Sequence, residues 1–175
     1  MGWFKEAPKS VHAQVKKIVD DHYPDLVDAA VTFDLLMAHA KVDDKTGEPV
    51  SPALKHHGWP AAAVVKINSH KDRVAGRNDV EITIDGDNWN DRTDPQQVAI
   101  LDHELRHLIV IRNPAGIVKE DDCGRPKLKL SDHDWQFGGF NSILERHGEH
   151  SLEHEFMSNL RHVTQKLFDW AEQVV

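Results

Sequence analysis

The chain has little of several features that mark specialised classes of protein. Its one cysteine, Cys123, excludes an internal disulfide bond and is typical of a protein in a reducing cytoplasm. No apolar run approaches the roughly 18 residues that a membrane-spanning helix needs, and the first residues lack the apolar core of a signal peptide. Acidic residues outnumber basic ones, and the net charge of −8 disfavours unaided binding to a nucleic-acid backbone. We therefore expect a cytoplasmic protein without membrane or nucleic-acid partners.

The remaining composition is that of an ordinary folded domain. The chain is 39% hydrophobic and 29% charged, and its 175 residues are enough for one sizeable core. No internal repeat or low-complexity tract interrupts the sequence. We predict a single domain over residues 1–175.

Chemistry enters with the sequence His-Glu-Leu-Arg-His at residues 103–107. Two imidazoles four residues apart lie on one face of a helix, so His103 and His107 can reach a single zinc ion. In metalloproteases with this motif, the glutamate accepts a proton from zinc-bound water, which gives Glu104 the role of general base. In a chain with 13 histidines, chance yields roughly 0.05 such matches, so the surrounding sequence must support the motif.

The flanking residues predict that this motif lies in a buried helix. Asp94 is the expected N-cap, Pro95 occupies the first helical position, and Asn113-Pro114 ends the helix. One side of the helix is apolar, formed by Val98, Leu101, Leu105, Leu108 and Ile109. The histidines lie opposite this stripe, and buried imidazoles need a partner. This arrangement favours zinc over two hydrogen-bonded histidines in a polar cleft.

A catalytic zinc site takes three protein ligands and leaves one position open, so a third ligand is needed. His133 is the best candidate, because Ser131 or Asp132 can cap a helix that begins there and ends at His147-Gly148. Spacing alone leaves open the alternative that His133 is only a polar residue near a helix start.

Three stretches together resemble a known family. The sequence is similar to compact zinc peptidases of the SprT and minigluzincin type in three places. These are a strand that leads into an acidic stretch and Trp (residues 81–89), Leu-Asp-His-Glu-Leu (101–105) and His-Asp-Trp-Gln-Phe (133–137). They resemble the phage metallopeptidase family more closely. The resemblance implies that His103, His107 and His133 bind zinc and that Glu104 is the general base. Arg106 and the long polar segment 43–60 depart from that pattern.

The resemblance and the residue patterns together predict an α+β fold. A small, mostly antiparallel sheet packs on helices in a zincin-like arrangement with an HExxH active-site helix. We expect helices at 10–21, 94–113 and 131–147 and a further helix from Ser151, strands at 31–35, 62–67 and 80–84, and a hairpin at 117–130. The strand at 80–84, with Thr83 and Asp85 near its end, is expected to be an edge that pairs with an extended peptide.

The predicted function is therefore a zinc-dependent metallopeptidase that hydrolyses protein or peptide substrates, with Glu104 assisting the attack of zinc-bound water. One alternative is a catalytically silent, zinc-stabilised binding or inhibitory protein, phage-encoded and acting in the host cytoplasm. Another is a metallohydrolase with a substrate other than a peptide. Glu104 disfavours the silent protein, because a structural zinc needs no base.

Two other motifs compete for the metal. His150 to His154 reads as the inverted signature H-x-x-E-H, but the predicted cap at Ser151 places a helix boundary between its histidines. Cys123 is a possible zinc ligand, although it follows the H-E-x-x-H helix and is more typical of a turn.

Overall fold

The computed structural model describes residues 2–134 and 138–161. The elements follow in chain order: β1 (Trp3–Glu6), α1 (Lys9–His22), α2 (Pro24–Asp28), β2 (Phe33–His39), β3 (Lys55–His56), β4 (Trp59–Pro60), β5 (Ala63–Ile67), α3 (His70–Val74), β6 (Val80–Asp85), α4 (Asp94–Arg106), β7 (Leu108–Val110), β8 (Leu128–Leu130) and α5 (Asn141–His147). Residues 152–161 are also helical. In the part of the chain that the structure describes, no helix has both the length and the apolar character to cross a membrane.

A four-stranded sheet in the order β1-β2-β6-β5 forms the centre of the fold. β1 and β2 are antiparallel, as are β5 and β6, whereas β2 and β6 are parallel. The α+β class with a small, mostly antiparallel sheet is confirmed. β1 was not predicted, because all of its residues are exposed and no apolar alternation marks it.

The core lies between this sheet and helices α1 and α4. α1 contributes Val11, Val15 and Ile18, which are buried and spaced so that they share one face. β6 contributes Ile82 and Ile84, both fully buried. The prediction that β6 is an edge strand is wrong, because β2 and β5 pair with it on its two sides. The edge on that side of the sheet is β5.

α4 begins where the sequence indicated but has a different N-cap and ends earlier. Its N-cap is Thr93 rather than Asp94, and Thr93 and Gln96 form a capping box in which the Thr93 N–H donates to Gln96 Oε1 at 2.9 Å. The helix ends at Arg106, well before Asn113. The apolar, β-branched run that follows it favours a strand, and β7 pairs with β8.

The helix predicted over residues 131–147 is also shorter, beginning only at Asn141. Residues 131–134 continue from β8 without helical structure. The N-cap is Phe140 rather than Ser131 or Asp132, and Asp134, seven residues before the helix, accepts the Asn141 N–H with its Oδ2 at 2.9 Å. The predicted end at His147-Gly148 is confirmed, and Gly148 there has a φ of 52°.

Two further predictions are confirmed in part. The turn from Asp121 to Gly124 is present, but β8 pairs with β7, so residues 117–130 are not a simple hairpin. Ser151 caps the helix at 152–161, since its Oγ accepts the His154 N–H at 3.1 Å. From their spacing, three later residues were expected to continue the apolar face of this helix, but they lie outside the described residues: Val163, Leu167 and Trp170.

A buried carboxylate joins three parts of the fold. Asp102 is fully buried and accepts hydrogen bonds from the Tyr23 hydroxyl, the Arg146 guanidinium and the His147 ring. Burial raises the pKa of Asp102, but these bonds lower it by more, so its pKa lies below the usual value. The residue before the first motif histidine thereby ties α4 to α5 and to the end of α1.

We expect Tyr23→Phe to lower the free energy of unfolding by about 1–3 kcal/mol, because a buried acceptor loses a donor that water cannot replace. Urea denaturation measures this change. Ser51→Ala, which removes an exposed hydroxyl, is the matched control and should change stability little. Equal stability of the two variants would contradict the importance assigned to the network.

Candidate metal centre

Three histidines from separate segments converge beside the sheet. His103 lies in the last turn of α4, His107 is its C-cap, and His133 lies in the non-helical segment after β8. One ring nitrogen from each lies within 4.8 Å of those of the other two. His103 Nε2 is 3.1 Å from His133 Nε2, close to the separation of about 3.3 Å expected for two imidazoles on one tetrahedral zinc. The structure therefore brings together the three predicted ligands, although His133 lies in a different type of element than predicted.

The other ring nitrogens are held by partners that turn Nε2 inward. His107 Nδ1 lies 2.8 Å from the Ser131 carbonyl oxygen, which can only accept, so Nδ1 carries the proton. His103 Nδ1 lies 2.7 Å from Glu153 Oε1 and donates to it. Both Nε2 atoms therefore present lone pairs to the centre of the cluster. A metal-binding histidine almost always has such an outer partner, so this donor set fits a metal ion.

Glu153 is the functional residue that the sequence reading missed. It is 1% exposed, and Oε1 also accepts the Phe140 N–H at 3.2 Å. Burial raises the pKa of Glu153, but the hydrogen bond and charge of His103 bring it below the usual value. The inverted motif at 150–154 was the only signal that pointed to this region. His150 and His154 do not belong to the histidine cluster, whereas the glutamate between them supports it.

Glu104 lies beside the cluster at the junction of α4 with the edge strand. It is 6% exposed, and its Oε2 accepts the Val65 N–H of β5 at 2.8 Å. Burial raises the pKa of Glu104, while the charge of His103 and the Val65 hydrogen bond oppose this effect. The carboxylate therefore has a fixed position and a raised pKa, two properties expected of a general base.

Burial also favours the neutral, metal-binding form of two imidazoles. It lowers the pKa of His107 to about 4 and lowers the pKa of His133 as well. Burial is also the largest influence on His103 and acts to lower its pKa, but the Glu153 hydrogen bond and the charges of the nearby carboxylates together outweigh it, so the net shift is upward. The charge of His56 contributes a smaller part of the lowering of the pKa at His107 and His133.

Phe140 packs against all three imidazoles and explains one departure from the family pattern. Its ring centroid lies 5.2, 4.9 and 5.0 Å from those of His103, His107 and His133. The Arg106 guanidinium lies 5.3 Å from the same ring, and its Nε donates to Ser142 Oγ. Arg106 therefore stabilises Phe140, which packs against the cluster, through a cation–π contact, and holds Ser142 through a hydrogen bond.

Comparison with known proteins agrees with this geometry. The sequence model of a family described as "Putative phage metallopeptidase" matches residues 3–170. The chain belongs to this family. The resemblance read from the three motifs is confirmed, and membership supports a metal-dependent peptidase acting on protein or peptide substrates. No curated protein and no solved structure gives a match to the chain.

We expect Glu153→Gln to weaken metal binding by roughly 10–100-fold, the usual effect of removing an outer partner of a metal ligand. Glutamine can still accept the His103 proton, but it loses the charge that orients and polarises the ring. Competition with a chelating indicator measures the affinity. The control is Glu155→Gln in the same helix, where only an exposed pair with Arg92 is lost. Equal affinities of the two variants would show that Glu153 has no role at the cluster.

Proposed function

We propose that this phage-type metallopeptidase is a single-domain zinc enzyme of the HExxH type, with His103, His107 and His133 as zinc ligands and Glu104 as general base. The observation that carries the proposal is the convergence of three inward-facing imidazoles beside a buried, positioned carboxylate. A metal held only for stability would not require a buried carboxylate that the Val65 N–H positions beside the ligands.

The ligand set supports zinc as the metal. Three imidazoles suit zinc, and a three-ligand set is the arrangement of catalytic rather than structural zinc sites. A zinc ion bound there supplies a Lewis acid that activates water near neutral pH and polarises the scissile carbonyl.

Glu104 moves the proton. Val65 holds Oε2, so Oε1 is the oxygen that accepts a proton from the attacking water. The raised pKa of the carboxyl group helps it to retain that proton until the leaving amine takes it. Because α4 and β5 both fix this side chain, proton transfer requires little rearrangement of the protein.

The edge strand β5 is the proposed binding surface for an extended substrate, in place of β6. Ala62 O accepts the Asp85 N–H, so alternate residues of β5 bond to β6 and the residues between them face outward. Val65 is one of the outward-facing residues, as its bond to Glu104 shows. Because the Val65 N–H is already bonded to Glu104, a peptide that pairs with β5 uses the other outward-facing backbone groups and passes beside the proposed base. This geometry favours unfolded or extended segments of protein over compact folded ones.

We expect chelation to abolish hydrolysis of an unfolded protein substrate and stoichiometric zinc to restore it, because the metal provides the activated water. Mass spectrometry of the cleaved substrate and elemental analysis of the enzyme measure the two effects. Hydrolysis that survives complete removal of metal would contradict the proposal. Zinc-loaded protein that cleaves no member of a broad peptide library would favour the silent, inhibitory alternative.

A further inference from the structure

A second group of metal-binding side chains lies apart from the three histidines. His70 at the start of α3 and Asp121 and Cys123 in the turn before β8 place one ligand atom each within 4.8 Å of the other two. None of these residues belongs to the first cluster. Nitrogen, oxygen and thiolate sulfur are the three donor types that zinc takes in proteins, and thiolate disfavours calcium and magnesium.

The two carboxylate oxygens of Asp121 have different surroundings. One accepts hydrogen bonds from the backbone of the turn, and the other lies near the His70 ring. Oδ1 accepts the N–H groups of Cys123 at 2.9 Å and Arg125 at 3.1 Å, which fixes the carboxylate. Oδ2 lies 3.6 Å from His70 Nδ1. The Asp121 side chain is only 9% exposed, and Oδ2 accepts no hydrogen bond from the described residues. This oxygen is therefore a positioned acceptor with ion-pair neighbours but no well-aligned hydrogen bond.

The Arg73 guanidinium also lies close to this oxygen, with its Nη1 at 3.1 Å from Oδ2. Its charge is shared, because the same Nη1 donates to the Pro126 carbonyl and lies 3.7 Å from Asp79 Oδ1. A carboxylate oxygen has two lone pairs, so Oδ2 can face the guanidinium and a metal ion at once. The ion pair holds the carboxylate in place and does not block the side facing His70.

The His70 ring and the Cys123 thiol are exposed, so both side chains can rotate toward a metal ion. The His70 side chain is 52% exposed, and the Cys123 thiol is on the surface. Ligand atoms around a tetrahedral zinc lie about 3.3–3.8 Å apart, so a rotation of exposed side chains suffices to bring them into place. The backbone needs no movement, because the capping box of α3 and the Asp121 turn fix both segments.

We propose that His70, Asp121 and Cys123 form a second zinc site, distinct from the catalytic one and completed by solvent. It ties the turn at residues 121–124 to α3. The same segment continues through β8 to His133. The second ion therefore stabilises the part of the chain that precedes the proposed third ligand of the first site. The site does not depend on the peptidase activity.

Cobalt titration of the metal-stripped full-length protein tests the proposal. Only a cysteine ligand produces a thiolate-to-cobalt charge-transfer band in the near ultraviolet, and Cys123 is the one cysteine of the chain. We expect two cobalt ions per chain and this band in the wild type, and one ion without the band in Cys123→Ser. His70→Gln should keep the fold. The cobalt concentration needed for half of the full band should rise at least tenfold. His22→Gln, at an exposed histidine of α1, is the control and should bind like the wild type.

The catalytic site is tested separately in the same titration. His133→Ala should lose the ion that gives no charge-transfer band and retain the ion that does. A wild type that shows no charge-transfer band, or a Cys123→Ser variant that binds as many ions as the wild type, would overturn the second site while leaving the first intact.

Discussion

Glu104→Gln is expected to lower kcat/KM for peptide hydrolysis by about 10²–10⁴-fold while the protein keeps its fold and its metal, since this is the usual contribution of a general base. Glutamine has nearly the same shape as glutamate and keeps an oxygen that can accept the Val65 N–H, so the packing between α4 and β5 is preserved. It cannot take up a proton at neutral pH. The loss should therefore appear in kcat, with a much smaller change in KM.

Elemental analysis and steady-state kinetics on one preparation measure both properties. Glu145→Gln, at an exposed position of α5, has the same change in charge and is the matched control. A Glu104→Gln variant that retains activity within tenfold of the wild type would contradict the role of base. A variant that loses its metal would instead indicate that Glu104 is itself a ligand.

His133→Ala is expected to have the second largest effect, a loss of metal affinity greater than the roughly 10–100-fold caused by removing an outer partner, together with loss of hydrolysis. The reason is geometric, because His103 and His107 alone leave two coordination positions without a protein ligand. Zinc titration in a Cys123→Ser background measures the affinity with no thiolate present. A change of less than tenfold would show that the third ligand is elsewhere.

His150→Ala is the matched control for His133→Ala, because it removes an exposed histidine from the inverted motif. Unchanged affinity in His150→Ala would also exclude the inverted motif as the metal site. If His150→Ala loses metal and His133→Ala does not, the ligand assignment is reversed.

The parts of the site that lie close together in sequence were the parts that could be predicted. The spacing of His103, Glu104 and His107 belongs to one helical turn, so periodicity and capping signals were sufficient to place them on a helix. The structure places His133, the predicted third ligand, beside His103 and His107, but not in the helix that was predicted for it. Ser131, at the start of the segment 131–134, is bonded to the carbonyl and to the ring of His107, and such a contact between distant segments leaves no mark on local spacing.

Glu153 and the edge strand could not be predicted for the same reason. Glu153 reaches His103 across 50 residues of sequence, and only the packing of the helix at 152–161 brings them together. The choice between β5 and β6 as the edge depends on which strands pair, and strand alternation alone does not determine that order.

Ser131 supports the metal centre entirely through its main chain. Its N–H donates to the His107 carbonyl at 2.7 Å, and its own carbonyl accepts the His107 ring proton. Neither bond involves the serine hydroxyl. The hydroxyl donates instead to the Asp132 carbonyl at 3.0 Å. An alanine at residue 131 therefore keeps both bonds to His107, whereas proline loses one because it has no N–H to donate.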